Sequence, residues 1–401
     1  MIFSSYSYNG PHFGLSTASG WAPLKDYLKV NRPTYIYNSH SIQKRISHMK
    51  AAFAACSPQI HYALKANANA GILKIFKQND FGVDVVSGGE AQIALENGFS
   101  PSKIIFSGVA KSKDEIQLAL QKNFFQINIE SLEELRRVIS MAAALQKKAF
   151  IGIRINPNIP VDTHPYITTG FRENKFGISE NQLDEAIALI KTQPQWVELR
   201  GLSSHIGSQI RDINPMVKAV ESLLQCSQRL LEQGMNLSTI DIGGGLGIDY
   251  FTDDETKELQ LIDILGQQVV EVLKTSPLKL LLEPGRWLVA RAGALCAQVE
   301  YTKFNGHKNF LILNTGMHHL LRPALYKAHH RINPLFARTD SQQKIYDVVG
   351  PICESSDVLG QDRWLFTPQE EDWMAILDAG AYGMSMSSLY NHHALPLEIV
   401  I

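Results

Sequence analysis

Three stretches of this 401-residue chain hold polar groups where packing alone would not place them. Lys65 ends the alternating run HYALK and is followed by small and amide residues, ANANA. An unpaired ammonium inside a buried strand is costly, whereas one at the point where a strand stops can reach into a cleft. Glu283 closes the apolar run LKLLLE, just before Pro284 and Gly285. A carboxylate there needs a cationic partner, either an arginine or a protonated ring nitrogen. DIGGGLGID (241–249) follows a β-like run and places four glycines in five positions. Such a run lets backbone N–H groups approach a phosphate closely, or it simply makes a sharp corner. It is not a G-x-G-x-x-G fingerprint, and no acidic ribose partner follows at the right distance, which disfavours a nicotinamide cofactor.

Pyridoxal phosphate would satisfy all three stretches at once. It offers a ring nitrogen for Glu283, a phosphate for the glycines and an aldehyde that forms a Schiff base with a lysine. His205, in SSHIGSQ, would lie flat against the ring with Ser208 close to the phosphate. Taken alone, a single histidine is more often a satisfied structural one.

Composition narrows the partners. With 38 basic and 39 acidic residues the formal net charge is −1, so no general field gathers nucleic acid or an anionic membrane. A small-molecule partner is expected. Cys56, Cys226, Cys296 and Cys353 lie far apart without a CxxC spacing, which fits reduced thiols in a cytoplasm better than a zinc site or redox pair. The amino terminus has no basic cluster ahead of an apolar core, and no stretch approaches the ~18 apolar residues of a membrane span. A soluble protein of two domains is the expectation at this length.

The elements that must position these groups read as an alternation. Eight short β-branched or apolar runs, IHYAL, VDVV, IIFS, FQINI, FIGIRI, LRGLSSH, TIDI and LKLLLE, are separated by segments of helical period that open on Ser and acidic residues. Eight strands each followed by a helix is the arithmetic of a (β/α)8 barrel, usually ~250 residues long. An open doubly wound sheet alternates in the same way. Polar residues at the run ends favour the barrel: Lys65, Ser87, Ser107, Asn156, His205, Gly243 to Gly245 and Glu283 would converge on one face. The expected division is a barrel over 30–285 and an all-β domain over 286–401, joined by the N-terminal segment 1–29. PTYIYN (33–38) reads as a single strand able to join the β domain.

YALKAN, DVVSGGE, ENKFGI, HIGSQ, DIGGGLGI, EPGR, LRPALY, GPICESSDVLGQDR and GAYGMSMSSLYN together resemble the fold-type III pyridoxal phosphate decarboxylases, and among them the meso-diaminopimelate decarboxylases. The resemblance covers nearly the whole chain. It implies an α/β fold, an alanine-racemase-type (β/α)8 TIM barrel with a C-terminal all-β domain, in a homodimer whose sites form at the subunit interface. It implies decarboxylation of meso-2,6-diaminopimelate to L-lysine. By the same resemblance Lys65 would hold the cofactor as a Schiff base and His205 would stack on it. Asp84, Ser208, Gly243, Gly244, Gly245, Gly285 and Arg286 would line the cofactor, and Glu283 would bind its ring nitrogen. Arg286, Arg322 and Tyr326 would hold the substrate's far carboxylate and Glu354 its far ammonium. Cys353 and Glu354 would come from the neighbouring subunit, with Cys353 delivering a proton after carbon dioxide leaves, and Tyr382 would touch cofactor and substrate. An arginine fork grips a carboxylate in two bonds, so the pair Arg286 and Arg322 suits a substrate with two carboxylates.

Two departures stand out. Asn314, in NTGMHH, replaces the acidic residue the family carries before LRPALY, which bears on the support of Arg322. Three His-His pairs (318/319, 329/330, 392/393) could suggest a metal, but adjacent ring vectors diverge, and solvated loops without metal are expected. The rivals are a relative acting on another or a carrier-linked amino acid, a racemase, in which an arginine would meet the ring nitrogen, and a cofactor-binding protein without turnover.

Overall fold

The computed structural model describes residues 5–160, 175–338 and 342–401, so Glu173 and Asn174 of ENKFGI lie outside the described residues. The chain divides into two compact units, a barrel unit of 47–247 and 259–285, and a β unit of 1–46, 248–258 and 286–401.

The barrel unit closes on eight parallel strands: β1 (Gln59–Ala63), β2 (Gly82–Val85), β3 (Ile104–Phe106), β4 (Gln126–Ile129), β5 (Ala149–Arg154), β6 (Val197–Ser203), β7 (Thr239–Asp241) and β8 (Lys279–Leu282). Each corresponds to one of the eight runs, and the barrel rather than the open sheet is what forms. β8 pairs with β1 through Leu281 and Leu282 against Gln59 and Ile60, which closes the ring. The runs read clearly because a strand covered on both faces needs nearly continuous apolar residues. The helices between them start on serines that satisfy otherwise unpaired N–H groups. Ser87 accepts from Glu90 N, Ser131 accepts from Glu134 N, and Ser112 with Glu115 forms a reciprocal capping box. Because all eight strands are parallel, their C-terminal ends share one mouth.

The β unit holds a three-stranded sheet (Tyr6–Asn9, His12–Thr17, Gly20–Pro23) and an eight-stranded sheet built around the long strand Gly293–Phe304. Strand Thr34–Tyr37 pairs antiparallel with Gly293–Phe304 and parallel with Leu397–Val400. Residues 30–46 therefore go with the β sheet although they precede the barrel. Phe13, Leu15, Ile36, Cys296, Leu335 and Trp373 are buried together in its core.

Segment 248–258 also belongs to the β unit, and its charges show why. Arg45 is fully buried between Glu255 and Glu258, at 2.6 Å from Glu258, and donates to Trp287 O at 2.7 Å. Arg291 pairs with Glu258 at 2.5 Å and with Asp378 at 3.1 Å, and Arg331 pairs with Asp378 at 3.1 Å. Three guanidinium groups alternate with three carboxylates, so each buried charge has an opposite neighbour. No helix among the described residues is long and apolar enough to cross a membrane.

Candidate active site

Within the barrel unit the polar residues at the strand ends gather at one mouth. Lys65 sits in the single 3-10 turn Leu64–Ala66 that follows β1. That turn is fixed from the other side of the closure, where Ala63 N donates to Pro284 O at 3.0 Å. Gly285 leaves no slack there, since a Cβ on it would lie 3.1 Å from the Cβ atoms of Ala63 and Ala66. Lys65 Nζ reaches Asp84 Oδ2 at 3.0 Å, while the other carboxylate oxygen of this fully buried Asp84 has no hydrogen-bond partner.

Glu283, one residue past β8, points its Oε1 into a position closed to solvent where no N–H or hydroxyl group donates to it, its hydrogen-bonding neighbour being the Asp241 carboxyl. Burial pushes its carboxyl well above the usual range, and the nearby Asp241 and Asp84 push it further. Asp241 is itself raised to about 6, chiefly by burial. Three buried carboxyl groups thus share the mouth with the Lys65 ammonium.

His205 follows β6. Its Nδ1 accepts from Gly244 N at 3.3 Å, so the ring is neutral with its proton on Nε2. Burial, and then the charges of Arg154 and Lys65, hold it well below its ordinary pKa. The glycine run is a tight passage as well as a turn. A Cβ on Gly244 would stand 2.2 Å from Glu283 O, and one on Gly245, where φ is +104°, would stand 2.4 Å from Gly207 O. Gly207 and Ser208 belong to the segment that runs beside the glycines, since Ile210 N donates to Gly245 O at 2.9 Å. Two of the N–H groups expected to face a phosphate already have protein acceptors, Gly243 N on Asp241 Oδ1 at 2.8 Å and Gly244 N on His205.

Lys65, Asp84, His205 and Glu283 line one cavity of about 330 Å³, together with Asn128, Arg154 and Phe176. That lies at the lower end of the ~300–1,000 Å³ of ligand pockets. The donor set fits pyridoxal phosphate. It has an amine for the aldehyde, a neutral flat ring for the aromatic face, and, for a cationic nitrogen, a buried carboxyl oxygen that no N–H or hydroxyl group reaches. The sequence reading missed Arg154, which pairs with Glu130 at 2.9 Å and donates to His205 O at 3.3 Å. Its signal is present in the sequence, because Arg154 ends β5, two residues before Asn156. It also missed Asp241 as the neighbour of Glu283, a pairing between strands 42 residues apart that no local motif announces.

The β unit assembles a second cluster. Arg286 opens the short helix Arg286–Val289, donates to Tyr250 Oη at 2.8 Å and lies 4.7 Å over the Tyr382 ring. Arg322 opens Arg322–Tyr326, contacts His330 Nε2 at 2.7 Å and lies 4.4 Å over the Tyr250 ring. A guanidinium only donates, so His330 accepts on Nε2 and donates from Nδ1 to Leu377 O at 2.8 Å. Burial and the neighbouring Arg322 keep that imidazole well below its ordinary pKa. Tyr326 is close enough to influence both arginines. Among the described residues no carboxylate pairs with Arg322. Tyr250 and His330 take that supporting place, and neither was singled out from the sequence. Asn314 serves the sheet instead, accepting from Gln298 N and donating to Asn31 Oδ1, each at 3.0 Å.

The His-His pairs correct an expectation. His318, His319 and His330 are buried rather than solvated. Backbone carbonyls make this possible for two of them, since His330 bonds Leu377 O and His319 Nε2 bonds Ala394 O at 3.0 Å while its Nδ1 accepts from Thr315 Oγ1 at 2.9 Å, whereas His318 has no hydrogen bond on either ring nitrogen and packs its ring 3.6 Å from that of His319. Among the described residues no group of three or more His, Cys, Asp or Glu side chains is arranged to hold a metal ion. No disulfide joins any of the four cysteines, with Cys296 buried and Cys353 exposed. Cys353 and Glu354 share an exposed turn of the β unit, held by partners other than those of the arginines. Glu354 accepts from Tyr390 Oη and, at 3.0 Å, from Ser356 Oγ, and these bonds hold its carboxyl below the usual range.

Residues 39–290 match the family described as "Pyridoxal-dependent decarboxylase, pyridoxal binding domain". The chain is 40% identical to the diaminopimelate decarboxylase of Haemophilus influenzae, over 92% of this chain and 88% of that protein. It is 37% identical to that of Aquifex aeolicus, over 92% and 86%. Among solved structures it is similar to diaminopimelate decarboxylase from Helicobacter pylori complexed with L-lysine, with TM-score 0.87 and 39% identity over 94% of this chain and 93% of that one. The M. jannaschii enzyme in co-complex with L-lysine gives TM-score 0.90 and 32% identity over 99% and 92%. An arginine decarboxylase from Paramecium bursaria Chlorella virus, at 21% identity and TM-score 0.83, shares the fold.

Proposed function

Because the chain belongs to the diaminopimelate decarboxylase family of pyridoxal-dependent enzymes, we propose that it converts meso-2,6-diaminopimelate to L-lysine and carbon dioxide, closing lysine biosynthesis. The observation that carries the reading is Glu283. A buried carboxyl oxygen that no N–H or hydroxyl group reaches, in the cavity that also holds the Lys65 amine, is the arrangement a protonated pyridine nitrogen would complete.

Bound pyridoxal phosphate supplies an aldehyde for an amine and a protonated ring that accepts the electron pair left as carbon dioxide departs. Lys65 Nζ would hold that aldehyde, being the one amine in the cavity lining, among the described residues, that ends a barrel strand beside Asp84. The Glu283 carboxylate would hold a proton on the ring nitrogen, and that match of charges would lower the cost of keeping Glu283 ionised among Asp241 and Asp84. His205 is kept neutral, so it offers a flat face without adding a positive charge. Gly244 and Gly245 keep the passage narrow enough for backbone to approach a phosphate.

The substrate's second head needs cations and an anion together. Arg286 and Arg322, with Tyr326 and Tyr382, grip the far carboxylate, and Glu354, kept ionised by Tyr390 and Ser356, takes the far ammonium. Cys353 Sγ passes a proton to the carbon that has lost its carboxylate. Two copies of the chain complete each other's sites, with Cys353 and Glu354 contributed by the neighbouring copy. Four cysteines without a disulfide suit a reducing cytoplasm.

Carbon dioxide release measured in parallel from meso-diaminopimelate, lysine, ornithine and arginine tests the reading on cofactor-loaded protein. Release from the first alone is expected, in step with lysine formed. Faster release from one of the other three would assign the site to a different amino acid.

A further inference from the structure

The turn that bears Cys353 and Glu354 has little packing to define it. Between strand Gln343–Val349 and strand Val358–Phe366, residues 353–356 are all exposed, and Ile352 is the apolar anchor. Its shape comes from hydrogen bonds. Asp357, 3% exposed, accepts from Met317 N at 2.5 Å on Oδ1 and from Ile352 N at 2.7 Å on Oδ2. The carboxylate sits between two glycines: a Cβ on Gly316 would stand 2.4 Å from Oδ1, and one on Gly350 2.4 Å from Oδ2. The backbone closes the same turn, with Asp357 N on Glu354 O at 3.1 Å and Glu354 N on Ile352 O at 2.8 Å.

A second support stands on the other side. The short 3-10 turn Tyr390–His392 sends the Tyr390 hydroxyl to Glu354 Oε1, and Asn391 Oδ1 accepts from Cys353 N at 3.4 Å. The two supports meet where the His318 ring, next to Met317, lies 4.8 Å from the His393 ring. Burial raises the Asp357 carboxyl above its usual range, opposed by its two N–H donors. A buried ionisable group is a costly way to reverse a chain and a good way to fix one, because its two acceptor oxygens take two N–H groups at set positions.

We infer that Asp357 and Tyr390 are positioning residues for the reaction: Asp357 sets the turn that presents Cys353, and Tyr390 aims the Glu354 carboxylate. The inference rests on the roles proposed above for Cys353 and Glu354. It uses the way residues acting as one unit fail together, since removing a support costs nothing more once the supported group is gone.

The test is a double-mutant cycle on the cofactor-loaded full chain. Asp357→Asn places an amide NH2 against a backbone N–H and should lower kcat about tenfold or more while the visible band of bound cofactor is unchanged. Combined with Cys353→Ala, it should run no slower than Cys353→Ala alone. Tyr390→Phe should raise KM for meso-diaminopimelate several-fold with kcat within about twofold, and should add nothing to Glu354→Gln. Wild-type kcat in Asp357→Asn beside a crippled Cys353→Ala, or losses that multiply in the double variant, would overturn the positioning role and leave the proposed reaction intact. A fully active Cys353→Ala would instead remove the reading beneath it. If Asp357→Asn does not fold, Tyr390→Phe decides, because Tyr390 is exposed: unchanged KM there overturns the inference.

Discussion

Both units bury clusters of charge, and they do so in opposite ways. In the β unit Arg45, Arg291 and Arg331 alternate with Glu255, Glu258 and Asp378, each at hydrogen-bond distance from an opposite sign. In the barrel mouth Glu283, Asp241 and Asp84 gather with the Lys65 amine, and one oxygen of each carboxyl is buried where no N–H or hydroxyl group donates to it. Buried charges that are paired hold architecture, and breaking one pair leaves its partner stranded. Buried like charges are a cost that folding alone would remove, and such groups with strongly displaced pKa values cluster where chemistry is done. The difference separates scaffold from site without any motif.

The sharpest way to break the comparison is to exchange its consequences. Lys65→Ala should leave a folded protein with no visible cofactor band and no measurable turnover, read by absorbance and carbon dioxide release. Arg291→Met, in the paired network, should do the reverse: denaturant unfolding should show about 3–5 kcal/mol lost, while the fraction that remains folded turns over at the wild-type rate. A smaller effect follows from pH. Asp241 titrates near 6 when folded against about 3.9 unfolded, so the native state holds the extra proton between those values. The sign is that stability falls as pH rises through that window. The stability of cofactor-free wild type minus that of cofactor-free Asp241→Asn, which lacks this titration but keeps the opposite one of buried neutral histidines such as His205 and His330, should therefore fall by about 1–3 kcal/mol between pH 4 and pH 7, measured by urea unfolding across pH. A difference that rises over that range would contradict the assignment.

What the sequence showed and what it hid follow from how far apart the interacting residues lie. The eight strands were legible because two-sided burial writes continuous apolar runs, and Lys65, His205 and Glu283 were legible because each interrupts such a run at its end. Pairings across the fold were not. Nothing near Glu283 points to Asp241, nothing near Arg322 points to Tyr250, and Arg154 lay two residues before Asn156 at the end of the same strand. His318, His319 and His330 looked solvated because adjacent polar residues usually are, yet carbonyl acceptors and ring contacts let the fold bury them. Segment 248–258 read as barrel by position, and its place in the β unit comes from Glu255 and Glu258 meeting Arg45 and Arg291.

The most direct test of the contrast is the melting temperature of cofactor-free Glu283→Gln at pH 8, compared with cofactor-free wild type. Gln removes an acid that burial and two neighbouring carboxyl groups disfavour, so this variant should melt at or above the wild type while its cofactor-loaded form loses about 10²–10³ in kcat. A melting temperature well below the wild type would place Glu283 among the paired, architectural charges and contradict the account of the barrel mouth.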